Sequence, residues 1–166
     1  ALHPEMQSKL RSEVGSLTQW DHSRLDSLPY LDQVFNESLR YMPPVYVMFR
    51  KANKNLSIKV SEGKVDVNAN DHIIGCPYLA NRNASYWGTE RTGYSELSFS
   101  PNRYDTQNLK DRGLNPANLN NFGFGHGQRS CMGRYFATAE IKVILAKIVQ
   151  AFNLNSMKSE PALQSG

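Results

Sequence analysis

A chain of 166 residues, 40% hydrophobic and 20% charged, is long enough for one domain with its own core, and its composition excludes a disordered or fibrous class. The formal charge of +4 is mild, and the Lys and Arg residues are scattered with no basic run among stacking aromatics, which argues against nucleic acid as a partner. A weakly basic surface suits acidic redox proteins or anionic lipid headgroups equally well.

No stretch approaches the roughly 20 apolar residues that span a bilayer, and Ala1-Leu2-His3-Pro4-Glu5 lacks the pattern of a signal peptide. The absence of an initiator Met and the immediate helix start lead us to expect further residues upstream. Cys76 and Cys131 are too few for a disulfide framework and lack the Cys-x-x-Cys spacing of structural zinc, although a single Cys76 to Cys131 disulfide stays open. Asn-x-Ser triplets at Asn36, Asn55 and Asn83 are common by chance and do not establish secretion.

Pro4 opens a first helix, with Glu5 at its positive end and Met6, Leu10 and Val14 recurring until Gly15. After a polar stretch from Ser16 to Ser27, Pro29 opens a second helix whose apolar face is Leu31, Val34, Phe35 and Leu39, and Pro43-Pro44 forbids its continuation. Glu37 and Arg40 fall on its polar face.

From Val45 to Phe49 β-branched and aromatic residues predict a strand. Leu56 to Val60 and Val65 to Val67 predict a hairpin around Ser61-Glu62-Gly63, and His72 to Cys76 a further strand. Asn81 to Asn121, rich in Asn, Gly, Pro and Ser, reads as a long meander with short helices at most, and a meander of that length calls for a function. After Gly133 a long helix follows, with Ala137, Ile141, Ile144, Leu145, Ile148 and Phe152 as its apolar repeat and Lys142 and Lys147 on other faces. Residues beyond Asn155 read as a frayed polar tail.

Immediately before that helix, Phe124-Gly125-His126-Gly127-Gln128-Arg129-Ser130-Cys131-Met132-Gly133 combines three glycines with one cysteine. The glycines allow tight turns and a close approach to a flat ligand. A cysteine at a helix entrance meets the positive end of the dipole, and Arg129 adds positive charge, so the sulfur is placed to act as an anion. Two other readings stay open on the residues alone: an inert buried cysteine in a glycine-rich turn, and a cysteine nucleophile, for which neither His126 nor His72 has a recognisable partner motif.

The segment resembles the cysteine loop of the cytochrome P450 family, Phe-x-x-Gly-x-Arg-x-Cys-x-Gly, filled by Phe124, Gly127, Arg129, Cys131 and Gly133. Glu37 and Arg40, set between Leu28-Pro29-Tyr30-Leu31 and Pro43-Pro44, resemble that family's Glu-x-x-Arg helix. Phe99-Ser100-Pro101-Asn102-Arg103-Tyr104 resembles its Phe-x-Pro-x-Arg-Phe element, and Tyr86-Trp87-Gly88 the segment before the meander. Gly133 to Ala137 with Glu140-Ile141-Lys142 resembles filamentous-fungal members, while Met132 stands where many of those carry proline.

The resemblance implies an α+β, mainly α fold: the C-terminal part of the P450 fold, with helices, a small β-sheet, a meander, the cysteine loop and a long final helix. It implies a partial haem-binding domain over residues 1–155 and a polar tail over 156–166. Cys131 becomes the proximal ligand of haem (iron-protoporphyrin IX), Arg129 and Arg50 contact its propionates, and Phe124 shields the sulfur. Glu37, Arg40 and Arg103 form a structural network that holds the meander and so the loop. Implied partners are a small organic substrate, dioxygen and an electron-donating reductase, and the implied reaction is insertion of one oxygen atom into secondary metabolites, lipids or xenobiotics. The implied location is the endoplasmic-reticulum membrane for a full-length parent.

The family's long distal helix and its usual membrane anchor have no counterpart here, so the chain reads as truncated. That leaves two further readings, a haem-binding remnant without turnover and a non-haem interaction domain on the same scaffold.

Overall fold

Two prolines set the starts of the helices that frame the structure, a computed structural model that describes residues 3–15, 17–115 and 119–155. Helix α1 (Pro4–Val14) and helix α3 (Pro29–Tyr41) each carry Pro in the first turn, where its missing N–H costs nothing. Neither start has a side-chain cap of its own, and α1 supplies one for α3: the Glu13 carboxylate accepts from the backbone N–H groups of Tyr30 and Leu31, both at 2.8 Å. A five-residue helix, α2 (His22–Asp26), interrupts the segment that the sequence reads only as polar, and Asp21 caps it by accepting from Arg24 N–H.

Leu10, Val14, Leu25, Leu28, Tyr30 and Leu31 meet Ala146 and Val149 of α8 (Arg134–Ala151) in the main core. Helix α1 also binds the end of α8. Arg11 donates to the carbonyls of Val149 and Phe152 at 2.9 and 2.7 Å, which the helix leaves without partners, and Gln150 donates back to Val14. The anticipated apolar repeat of α8 is not its buried face. Ile141, Ile144, Ile148 and Phe152 are 42, 50, 37 and 63% exposed, while Lys142, Ala146 and Val149 are buried. Apolar residues occur on every side of this helix, so periodicity alone could not select a face; burial follows the position of α1 and α3.

Among the described residues the β structure comprises two antiparallel pairs. Strand β1 (Met48–Lys51) pairs with β4 (His72–Gly75), Met48 opposite Gly75, and β2 (Leu56–Val60) pairs with β3 (Gly63–Val67), Leu56 opposite Val67. Strand β1 begins three residues later than the Val45 start read from the sequence. Its partner ends at Gly75, because Pro77, which has no N–H to donate, opens α4 (Pro77–Ala80) and leaves residues 45–47 without a strand to pair with.

The meander is threaded by α5 (Ala84–Trp87), α6 (Thr89–Thr92), a 3-10 turn at Pro101–Tyr104 and α7 (Thr106–Asp111). A second small core of Trp87, Leu109 and Leu119 supports it. The polar tail at 156–166 lies outside the described residues. No helix among the described residues is long and apolar enough to cross a membrane.

Candidate functional site

Helix α3 presents Glu37 and Arg40 three residues apart, which places them on one face. That face is not turned to water, since both side chains are 0% exposed. Arg40 donates through Nε to Glu37 Oε2 and through Nη2 to Glu37 Oε1, each at 2.8 Å. Its remaining donors reach the carbonyls of Asn81, Glu96 and Ser98.

Arg103, in the 3-10 turn, approaches the same carboxylate from the other side, Nε to Glu37 Oε2 at 3.4 Å. It donates to the carbonyls of Trp87, Tyr94, Ser95 and Ser98 and to the Thr92 hydroxyl. Glu37 Oε1 also accepts from Ser100 N–H at 2.7 Å. One carboxylate thus faces two guanidinium groups, and the excess positive charge is spread over six backbone carbonyls of residues 81–98. Burial lowers the Arg103 guanidinium from its ordinary value, with the Glu37 charge opposing that shift. Only a planar group with five donors can serve so many acceptors, which is why lysine would not substitute.

Two polar residues here have no signal in the sequence. Asn81, 0% exposed, accepts from Phe122 N–H and donates to Leu39 O, so it links α3 to the segment entering the cysteine loop. Thr92 joins α5 and α6 by donating to Trp87 and Gly88 carbonyls. An isolated Asn or Thr in a loop carries no pattern that would mark either one.

The loop itself closes at its neck, Cys131 N–H donating to Phe124 O at 2.9 Å, with Gly125 N–H on Phe122 O and Ser130 N–H on Gly127 O. Gly125 and Gly127 hold φ of 70° and 69°, the left-handed region that favours glycine. Gly133 does not; its φ is −82°, and a Cβ there would lie 3.9 Å from the Cys131 sulfur. Its part in the expected turn is therefore not conformational. Cys131 itself is exposed, and Cys76 is also a free thiol, so the open Cys76 to Cys131 disulfide is not formed.

Around the sulfur, Arg129 is exposed in a short 3-10 turn, and Phe124 packs its ring 6.3 Å from Phe35, beneath the Arg134 guanidinium at 5.9 Å. Strand β1 meets the loop at Gly125, whose constructed Cβ would sit 3.8 Å from Met48 Sδ. Arg50, two residues along the same face, donates only to its own neighbour Phe49 O among the described residues and is otherwise exposed. The structure thus brings Cys131, Arg129, Phe124, Gly127 and Gly133 into one loop, with β1 beside it. The trio Glu37, Arg40 and Arg103 instead ties α3 to the meander.

This arrangement has close counterparts among known proteins. The family profile for Cytochrome P450 matches residues 1–165. The chain is 30% identical over 200 residues to Cytochrome P450 monooxygenase ALT8 of Alternaria alternata, covering 96% of this chain and 32% of that protein. It is 33% identical to Cytochrome P450 CYP749A22 of Panax ginseng, covering 92 and 28%. The crystal structure of a cytochrome P450, CYP102L1, superposes with a TM-score of 0.71 at 29% identity over 90% of this chain and 33% of that one. The chain therefore spans about a third of the length of the relatives it matches. With the match extending over nearly every residue and with the helix, meander and loop in the matching order, the chain belongs to the cytochrome P450 family.

Proposed function

We propose that this chain supplies the cysteine-ligand portion of a haem-thiolate monooxygenase, with Cys131 as the residue that would hold the iron. The observation that carries the reading is the presentation of Cys131: an exposed thiol at the entrance of an 18-residue helix, on a loop closed at its neck and turned by two left-handed glycines. One sulfur is an incomplete donor set for a bare metal ion. It would be a sufficient protein contribution for a metal that arrives with its other ligands, as iron does in haem, the cofactor of this family. The residues present fit that group.

When bound, haem would supply the oxygen chemistry, held by the Cys131 thiolate, an electron-rich ligand suited to oxygen activation. The chain's own residues do the rest. The start of α8 turns the positive end of its dipole toward the loop that carries the sulfur. Gly133 keeps the adjoining surface free of a side chain, and Phe124 covers the loop from the α3 side. Arg129 and Arg50, both exposed near the loop, offer guanidinium forks to two propionates. Glu37, Arg40 and Arg103 act at a distance by holding the meander that leads into the loop.

The reading extends to a full-length protein that inserts one atom of dioxygen into an apolar organic substrate, a secondary metabolite, lipid or xenobiotic, with electrons from a reductase, at the endoplasmic-reticulum membrane. Exposed Val45 and Val47 between α3 and β1, with Phe49 of β1, would form one edge of its substrate pocket. Residues 1–155 constitute its partial haem-binding domain.

Haem titration of the purified chain, followed by reduction under carbon monoxide, tests the proposal. A red-shifted Soret band of the thiolate type is expected in the wild type and in Cys76→Ala, and its loss in Cys131→Ala. Retention of that band in Cys131→Ala would refute the assignment. A band without turnover in the presence of a reductase would leave the chain a haem-binding remnant.

A further inference from the structure

We infer that Lys142 is a positioning residue for the cysteine loop, the ion pair of its buried side chain with half-exposed Asp32 fixing how the first half of α8 sits against α3. The role of the sulfur as haem ligand rests on the reading above; the ion pair itself does not.

Lys142 is 4% exposed, although it carries a charge on a helix with open water on several sides. Its Nζ pairs with Asp32 of α3 and lies 3.7 Å from Asp26 Oδ1 of α2. A buried ammonium is costly unless it is paired, and an unbranched apolar side chain would fill the same place at less expense. Packing therefore gives no reason for a lysine here, whereas linkage of α8 to two other helices does.

The need for such a link is visible beside it. Further along α8, Ala146 and Val149 sit in the main core and fix that half of the helix by contact. Towards the N-terminus the two helices part. Arg134 and Thr138 of α8 and Asp32 and Asn36 of α3 line a cavity of about 340 Å³ that reaches Phe124 and His126 in the loop. Without interlocked side chains across that space, packing does not set the rotation of the first turns of α8. Lys142 and Asp32 close the gap with a charge pair. Arg134 N–H is bonded to Cys131 O at 3.4 Å, so any rotation of the helix start moves the sulfur with it. Asp32 lies five residues before Glu37 on α3, so the helix carrying the sulfur and the network holding the meander are referred to one rigid element.

The test compares the full chain with its Lys142→Met, Lys142→Arg and Asp32→Asn variants. Methionine keeps the length and removes the charge; arginine keeps the charge; Asp32→Asn removes the partner and serves if Lys142→Met does not fold. Amide hydrogen exchange, measured without haem, is expected to rise about tenfold over Ala137 to Ile141 in the first and third variants. Val149 to Ala151 should stay protected, and Lys142→Arg should resemble the wild type.

Equal protection in all four proteins overturns the inference. So does a uniform loss along α8 that arginine does not rescue, which would make Lys142 an ordinary packing residue. After haem loading, the fraction of protein with the red-shifted carbon monoxide band should fall in Lys142→Met and recover in Lys142→Arg. If the wild type forms no such band, the haem assignment fails, and the exchange pattern still decides the role of the ion pair.

Discussion

Glu37 holds Arg40 at two points, Oε2 on Nε and Oε1 on Nη2, each at 2.8 Å, and water reaches neither side chain. Removing one member leaves the other charge buried without its partner, which costs about 3–5 kcal/mol in comparable buried pairs. Arg40→Lys should approach that loss, because an ammonium cannot span two carboxylate oxygens and also reach the carbonyls of Asn81, Glu96 and Ser98. Urea unfolding checks the magnitude. Limited proteolysis should show cleavage within residues 81–98 first, since those carbonyls lose their anchor.

Helix α8 offers a test of which of its apolar faces is structural. Val149 is 2% exposed in the main core, and Val149→Ala should destabilise by roughly 1–2 kcal/mol through lost contacts and a small cavity. Ile144 is 50% exposed, and Ile144→Ala should stay within about 0.5 kcal/mol. Thermal melts of the two variants should therefore separate clearly. Equal losses would show that the Ile144 face is also packed.

Most of the helical frame and the loop were legible in the sequence because their signals are local. Pro4, Pro29 and Pro43-Pro44 punctuate helices by covalent geometry: α1 begins at Pro4, and α3 begins at Pro29 and ends at Tyr41, ahead of Pro43. Gly63 and the flanking β-branched residues specify the hairpin in the same way. What stayed hidden depends on tertiary placement. The burial of Lys142 in place of Ile141 follows from where α3 lies, the position of β1 from how far β4 extends, and the parts played by Asn81 and Thr92 from backbone groups distant in the chain. Periodicity and propensity carry none of that information. For the loop, fixed motif spacing located Cys131, but only the backbone angles separate the glycines that turn the chain from Gly133.

That separation gives a third prediction. Gly127 has φ of 69° with nothing within 4 Å of a constructed Cβ, so Gly127→Ala costs only conformational energy, about 1–2 kcal/mol. Gly133 has φ of −82°, so Gly133→Ala should change stability by no more than about 0.5 kcal/mol. If Gly133 instead serves to keep the surface beside the sulfur clear, its variant should weaken haem uptake while melting like the wild type. Calorimetry and haem titration on the same two samples separate these effects.

Alkaline solution should expose the contribution of the buried phenols. Burial raises the Tyr104 phenol far above its ordinary value of 10.0, and Tyr30 is raised by burial and by the charges of Glu5 and Glu13. In the unfolded chain both would ionise near pH 10, so below that value both states are protonated and the stability from these groups is fully present. As pH rises above about 10, the unfolded state loses protons that the folded state keeps, and stability falls until the folded phenols ionise too. Tyr104 packs its ring 6.1 Å from Trp87 beside the Arg103 site, so Tyr104→Phe retains the aromatic contact while removing the titrating group. Urea midpoints measured from about pH 8 to 11 should decline less steeply in Tyr104→Phe than in the wild type. A still shallower slope is expected when Tyr30→Phe is added. Identical slopes in all three proteins would mean that neither phenol is withheld from solvent.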